Sequence, residues 1–183
     1  INLSKSEYLL VMDMVFNKID NIKEELNLKR IIYVSVSESM DKVIKLGYKL
    51  TKGFKVKKPY GENVISWSSF ISKAKYNKEE IIDNNKGEDT AVILYSGGTT
   101  GKQKGIVLTN MNFNSLVLSE LEINKVLGDG VSILAIMPIF HGFGLGCTFH
   151  ACYASGGNTI ILPSVDPKKF DVTLLKYKPN ILA

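Results

Sequence analysis

The sequence of 183 residues is poor in features that would each point to a class of protein. It has two cysteines, Cys147 and Cys152, in an apolar, glycine-rich stretch. Their spacing fits no zinc motif, so no metal site and no disulfide framework is expected, and they read as buried thiols of a reducing compartment. There is no basic-then-apolar leader, no arginine fork and no nucleic-acid module, which argues against nucleic acid as a partner. The net charge of +5 is a local excess: Lys42, Lys45, Lys49, Lys52, Lys55, Lys57 and Lys58 follow one another with Asp41 the only acid beside them. A solvated helix face and loop explains that run, and a phosphorylated ligand, RNA or an anionic membrane surface could also use it. From Gly130 to Val165 there is no Lys, Arg, Asp or Glu. A membrane-spanning helix needs about 20 consecutive apolar residues, and Pro138, Gly142, Gly144, Gly146, Gly156 and Gly157 interrupt this run. A buried strand, turn, helix and strand is expected there, with no transmembrane segment.

What is present is ordinary for a globular protein: 45% hydrophobic and 22% charged residues, in a chain long enough for a sizeable core. Ser4 and Glu7 fit a capping box. Tyr8, Met12, Val15, Ile19, Ile22 and Leu26 recur at helical spacing, which predicts an amphipathic helix over residues 5–27. Ile31–Val34 reads as a buried strand and residues 38–50 as a helix interrupted late by Gly47. Pro59-Tyr60-Gly61 marks a turn, a short helix carries Trp67 and Phe70, and a polar loop over 77–89 leads to a strand at Ala91–Tyr95. A second strand at Ile106–Leu108 is followed by a helix capped by Asn110 or Asn112 and running to about Leu127. Strands at 131–137, 158–162 and 180–183 and a helix opened by Asp166-Pro167 complete the chain. Strands alternating with helices imply βαβ crossovers, an α/β fold with a mostly parallel sheet flanked by helices.

Between the strands at Ala91–Tyr95 and Ile106–Leu108 lies Tyr95-Ser96-Gly97-Gly98-Thr99-Thr100-Gly101-Lys102-Gln103-Lys104-Gly105. Glycines let a backbone approach a ligand closely. Successive N–H groups make an anion-binding concavity, to which hydroxyls and ammonium groups add donors and charge. This density of phosphate-compatible groups points to a polyphosphate rather than to a plain solvated loop. It is not a Walker A loop: Gln103 stands where Ser or Thr is needed after Gly101-Lys102, Ser96 replaces the first glycine, and a β-prone segment follows where a helix should begin. Further on, Met137-Pro138-Ile139-Phe140-His141-Gly142-Phe143-Gly144 sits just past the carboxyl end of a buried strand, the edge where open α/β sheets bind ligands. An imidazole and two aromatic rings are offered there.

Together these two stretches resemble the phosphate loop and the Pro-x-Phe-His-x-x-Gly motif of the AMP-forming acyl-CoA synthetases, luciferases and adenylation domains. Ser96, Gly97, Thr99, Thr100, Gly101, Lys104 and Gly105 match the first. Pro138, Phe140, His141 and Gly144 match the second. Gln103 replaces the usual proline, and Gly98 is a small residue the commonest form of the motif handles differently. The match covers roughly residues 88–183, with wording in the turn close to luciferases and fatty acyl-CoA ligases.

The resemblance implies that residues 1–183 are part of an N-terminal, AMP-binding domain whose C-terminal domain lies elsewhere; the way the chain opens on Ile1 and closes on Ile181-Leu182-Ala183 also reads as a piece of something longer. It implies an acid–thiol ligase working through an acyl-adenylate with ATP, Mg²⁺ and coenzyme A, acting on a medium- or long-chain fatty acid in the cytoplasm; peripheral membrane contact is compatible with such a substrate. The alternatives are an aryl-acid enzyme, an amino-acid-adenylating enzyme that loads a carrier protein, or a non-catalytic nucleotide-binding module. It further implies that Ser96, Gly97, Gly98, Thr99, Thr100, Gly101 and Lys104 grip the β/γ-phosphates. His141, the candidate catalytic residue, would lie by the substrate carboxylate and thioester tunnel, and Phe140, His141, Phe143 and Gly144 would line the acyl pocket. His150 matches nothing and reads as packing. The isolated chain is expected to be inactive.

Overall fold

The computed structural model describes residues 1–51, 53–73, 82–97, 103–162 and 164–183. It divides into two compact units, Ile1–Ile81 and Ile82–Ala183.

The first unit is built on a parallel sheet of order β1-β2-β3, with β1 at Tyr8–Met12, β2 at Arg30–Val34 and β3 at Val64–Ser66. The helix expected over 5–27 is not formed. Tyr8-Leu9-Leu10-Val11-Met12 is a contiguous apolar run, and such a run satisfies a helical and an extended spacing equally. Pairing decides: Leu9 faces Ile31 and Val11 faces Tyr33 in register. Leu9 and Val11 then pack on the core of Phe16, Leu28 and Ile31, while Tyr8, Leu10 and Met12 stay exposed. The period is two, as in a strand with one buried face. The rest of the stretch is short turns: 3₁₀ segments at Asp13–Val15 and Lys23–Glu25 around a single helical turn, α1, at Asn17–Asp20. No capping box forms either. Ser4 Oγ donates to the Ile1 carbonyl at 2.8 Å, and Glu7 pairs with Lys29 at 2.8 Å. A second helix, α2, spans Lys42–Thr51 and runs through Gly47. The short strand β3 was not foreseen; the expected helix after it is α3, Trp67–Lys73.

The second unit opens with an antiparallel hairpin of β4, Thr90–Gly97, and β5, Gln103–Thr109. α4, Asn110–Ile123, follows without a connecting loop. Its cap is Thr109, not Asn110 or Asn112: Thr109 Oγ1 accepts from the Asn112 N–H at 3.2 Å, and Asn112 Oδ1 accepts from the Thr109 N–H at 2.9 Å. The helix ends at Ile123 rather than near Leu127. A second parallel sheet has order β7-β6-β8, with β6 at Ser132–Ala135, β7 at Asn158–Ile161 and β8 at Ile181–Leu182. β6 is shorter than the expected 131–137 but lies at the sheet centre, with Ile133, Leu134 and Ala135 buried. The connection from β6 to β7 contains a π-helix, Gly144–His150, continuing into α5, Ala151–Ala154. Asp166 caps a 3₁₀ turn at Pro167–Lys169, and that turn leads into α6, Phe170–Tyr177, so the helical segment opens at Asp166-Pro167 as its sequence predicts. The mixed α/β class with parallel sheets holds in both units.

Candidate active site

β4 and β5 are tied residue by residue from Val92↔Leu108 to Gly97↔Gln103, with Ser96 opposite Lys104 and Tyr95 opposite Gly105. Side chains alternate faces along a strand. Val92, Leu94 and Ser96 therefore share one face with Leu108, Ile106 and Lys104. Directly opposed residues have Cβ atoms about 4.5–5.5 Å apart, so the Ser96 hydroxyl and the flexible Lys104 ammonium can converge on one anion. Lys104 is exposed and Ser96 half-buried, so a ligand can reach this pair from solvent. At the end of the pairing, a Cβ placed on Gly97 would meet nothing within 4 Å. The backbone there is open to close approach. Gly98, Thr99, Thr100 and Gly101, the remaining expected phosphate ligands, lie outside the described residues.

The second group of expected site residues follows β6. His141 N–H donates to the Pro138 carbonyl at 2.9 Å, and the His141 carbonyl accepts from Leu145 N–H at 2.8 Å. The chain thus turns tightly on Pro138 and winds directly into the π-helix. Gly144 permits the turn: a Cβ there would fall on the Pro138 carbonyl oxygen and lie 2.9 Å from the Met137 oxygen. Only a residue without a side chain fits. Phe140 is 80% and Phe143 48% exposed, and His141 is exposed beside them. Two aromatic rings and an imidazole standing in solvent form a surface that an apolar ligand would cover.

One contact joins the two groups. A Cβ on Gly142 would sit 3.7 Å from Leu94 Cδ1. Leu94 is on the hairpin face that carries Ser96 and Lys104, two residues from Ser96. The His141 turn therefore packs against the same face as the two phosphate-loop donors. Leu94 was not singled out from the sequence, although a period-two reading back from Ser96 would have selected it. The same face continues to Val92, which lines an apolar groove with Phe113, Leu145 and Phe149.

The π-helix is anchored by small residues. A Cβ on Gly146 would lie 2.6 Å from Leu116 Cδ2 of α4, so α4 and the π-helix approach through that glycine. π-helical turns are rare and frequent at functional sites; this one begins three residues after His141. His150 packs edge-on against Phe113, with ring centroids 5.2 Å apart, in keeping with a structural role. Burial pushes the Cys147 thiol above its ordinary range, and the charge and hydrogen bond of Glu120 push it further. A thiol raised in this way ionises less readily than a free one. Among the described residues no group of three or more His, Cys, Asp or Glu side chains could hold a metal ion. The Mg²⁺ that accompanies a nucleotide is held by one or two carboxylates together with the phosphates themselves, so it needs no such cluster. Among the described residues, no helix is long and apolar enough to cross a membrane.

Comparison with known proteins gives a consistent picture. The family described as "AMP-binding enzyme" matches residues 1–183. The long-chain-fatty-acid–CoA ligase of Bacillus subtilis (strain 168) is 28% identical over 181 residues, which cover 94% of this chain and 31% of that protein. The 4-coumarate–CoA ligase-like 3 of Arabidopsis thaliana is 30% identical over 123 residues, 67% of this chain and 22% of that one. Among solved structures, the anthranilate CoA ligase AuaEII in complex with anthranoyl-AMP is similar with a TM-score of 0.69 and 19% identity, over 97% of this chain and 30% of that chain. At that identity the likeness is one of fold. The chain spans less than a third of the length of these relatives.

Proposed function

The chain belongs to the AMP-binding enzyme family, and on that premise we propose that the protein carrying it is an ATP-dependent, AMP-forming carboxylate–CoA ligase that activates a medium- or long-chain fatty acid in the cytoplasm. The observation that carries the reading is the shared face: Ser96 and Lys104 opposite each other, with the His141-Gly142 turn packed on Leu94 beside them. A phosphate grip and an apolar, imidazole-bearing turn are what a site needs if it must bring a carboxylate to a nucleotide phosphate.

A carboxylate is a poor electrophile because its charge repels nucleophiles and oxide is a bad leaving group. Its oxygen attacks the α-phosphorus of ATP, the bond to the bridging oxygen breaks, and pyrophosphate leaves with that electron pair. The acyl-adenylate is then attacked by the thiol of coenzyme A and AMP departs. Ser96 and Lys104 bind the β/γ end by a hydroxyl donor and a compact positive charge, and the backbone at Gly97 lets the phosphates come close. They hold the leaving group in line and stabilise the charge it gains, which is positioning and electrostatics rather than covalent chemistry. His141 takes no proton in the first step, since the carboxylate has none to lose; it orients the carboxylate and borders the path of the thiol. Phe140 and Phe143 cover the acyl chain.

The fatty-acid assignment is supported by similarity to the Bacillus protein along nearly the whole chain and by the exposed rings at Phe140 and Phe143. Similarity to a 4-coumarate–CoA ligase-like protein favours an aryl acid as the second reading. ATP–pyrophosphate exchange by the full-length protein over a panel of fatty, aryl and amino acids decides. Exchange with fatty acids of medium or long chain is expected; exchange with aryl or amino acids alone would overturn the assignment.

A further inference from the structure

We propose that α2 and the segment after it dock on an anionic lipid bilayer. α2 is placed in an unusual way. Lys45 and Tyr48 are half-buried, and the chain returns beneath them so closely that a Cβ on Gly53 would lie 3.0 Å from the Tyr48 ring. At 100° per residue, Val43, Leu46 and Leu50 fall on the opposite side of the helix. They are 83%, 61% and 72% exposed, and Phe54 in the following 3₁₀ turn is 66% exposed. The helix thus turns its apolar stripe outward, the reverse of what a helix serving only the local core does.

The occupant of that stripe is indicated by charge. Between Lys42 and Gly61 there are seven lysines and no Asp or Glu, and Lys42, Lys49, Lys55, Lys57 and Lys58 are exposed. The acids in the adjoining clefts are Asp13, Asp20 and Glu38, of which Asp20 is already paired with Lys23 at 2.8 Å, so the seven lysines outnumber them and the surface remains basic. An apolar helix face rimmed by lysines is the pattern of an element that lies in the membrane interface, with its apolar side among acyl chains and its ammonium groups at anionic headgroups. The proposal is independent of the ligase reading, because its readout is binding and not turnover.

The test is co-sedimentation of the full-length protein with vesicles of phosphatidylcholine alone and of phosphatidylcholine mixed equally with phosphatidylglycerol. Binding is expected to the anionic vesicles only, weakening as salt rises. Lys55→Ala with Lys57→Ala should weaken it roughly 30-fold, about fivefold per lysine. Leu46→Ser with Leu50→Ser should weaken it by at least about tenfold, with an unchanged melting temperature because both side chains are exposed. Equal binding to neutral vesicles, no binding to anionic ones, or unaltered binding by both variants overturns the proposal. So does a marked fall in the melting temperature of the Leu46→Ser with Leu50→Ser variant in the vesicle-free protein, which would mean that another protein segment or a second copy covers the stripe. Binding of an RNA oligonucleotide in preference to anionic vesicles also overturns it.

Discussion

Replacing Gly144 by alanine tests the geometry of the His141 turn. A new Cβ would fall on the Pro138 carbonyl oxygen, 2.8 Å from the carbonyl carbon and 2.9 Å from the Met137 oxygen. All three obstacles are backbone atoms, so no side chain can swing away; the turn itself must move. Overpacking of this kind costs about 1–3 kcal/mol, partly offset by the helix propensity that alanine gains over glycine, up to about 1 kcal/mol. The net is a loss on the order of 2 kcal/mol, which for a unit of about 100 residues lowers Tm by roughly 8–16 °C. Moving a positioning turn by about 1 Å can also cost on the order of 10²-fold in rate. Gly142→Ala is the control. Its Cβ would meet only Leu94 Cδ1 at 3.7 Å, an ordinary contact, so Tm should hold or rise slightly. Calorimetry and ATP–pyrophosphate exchange on both full-length variants give the answer. Equal melting temperatures for the two would refute the folding of this turn onto Pro138.

Other outcomes follow from single contacts. Thr109→Ala removes the acceptor for the Asn112 N–H at the start of α4 and should cost about 1 kcal/mol, seen as a lower urea midpoint with exchange activity retained under native conditions. Gly97→Ala meets nothing within 4 Å, so it should leave Tm unchanged while raising the KM for ATP, because it fills the space through which phosphates approach the backbone. The raised thiol of Cys147 means that the folded chain holds this proton where the unfolded chain releases it. Its effect on stability is therefore absent at neutral pH and becomes a loss as pH rises through the ordinary thiol value of 9.0; maleimide labelling should be slow at pH 8 and faster in Glu120→Gln. The 183-residue chain alone should show no ATP–pyrophosphate exchange, and detectable exchange would refute that.

The part of the fold that could be read in the sequence is the part punctuated by glycine and proline. Pro138 and Gly130 bracket β6, Asp166-Pro167 opens the approach to α6, and the glycine-rich loop separates β4 from β5. Residues 5–27 could not be read because Tyr8–Met12 is apolar at every position, and only its pairing with Arg30–Val34 selects a strand. β3 is three residues long, too short for any period. The π-helix depends on how Gly146 meets Leu116 of α4, a contact between residues far apart in sequence. At the site, residue chemistry singled out the loop that holds Ser96, Gly97 and Lys104, while the role expected of His141 came from the resemblance. The meeting of the two motifs was not, because it runs through Leu94 and Gly142, 48 residues apart, and an apolar contact leaves no mark on a motif.

The central claim is that the hairpin face grips the pyrophosphate end of ATP. Lys104 is exposed, so Lys104→Ala should fold normally, and losing a preorganised donor to developing charge costs about 3 kcal/mol, roughly 10²–10³-fold in kcat. ATP–pyrophosphate exchange by full-length Lys104→Ala, with the acid saturating and Tm checked in parallel, measures this directly. That fall is expected with an unchanged Tm; unchanged exchange would mean that Lys104 does not hold the pyrophosphate end.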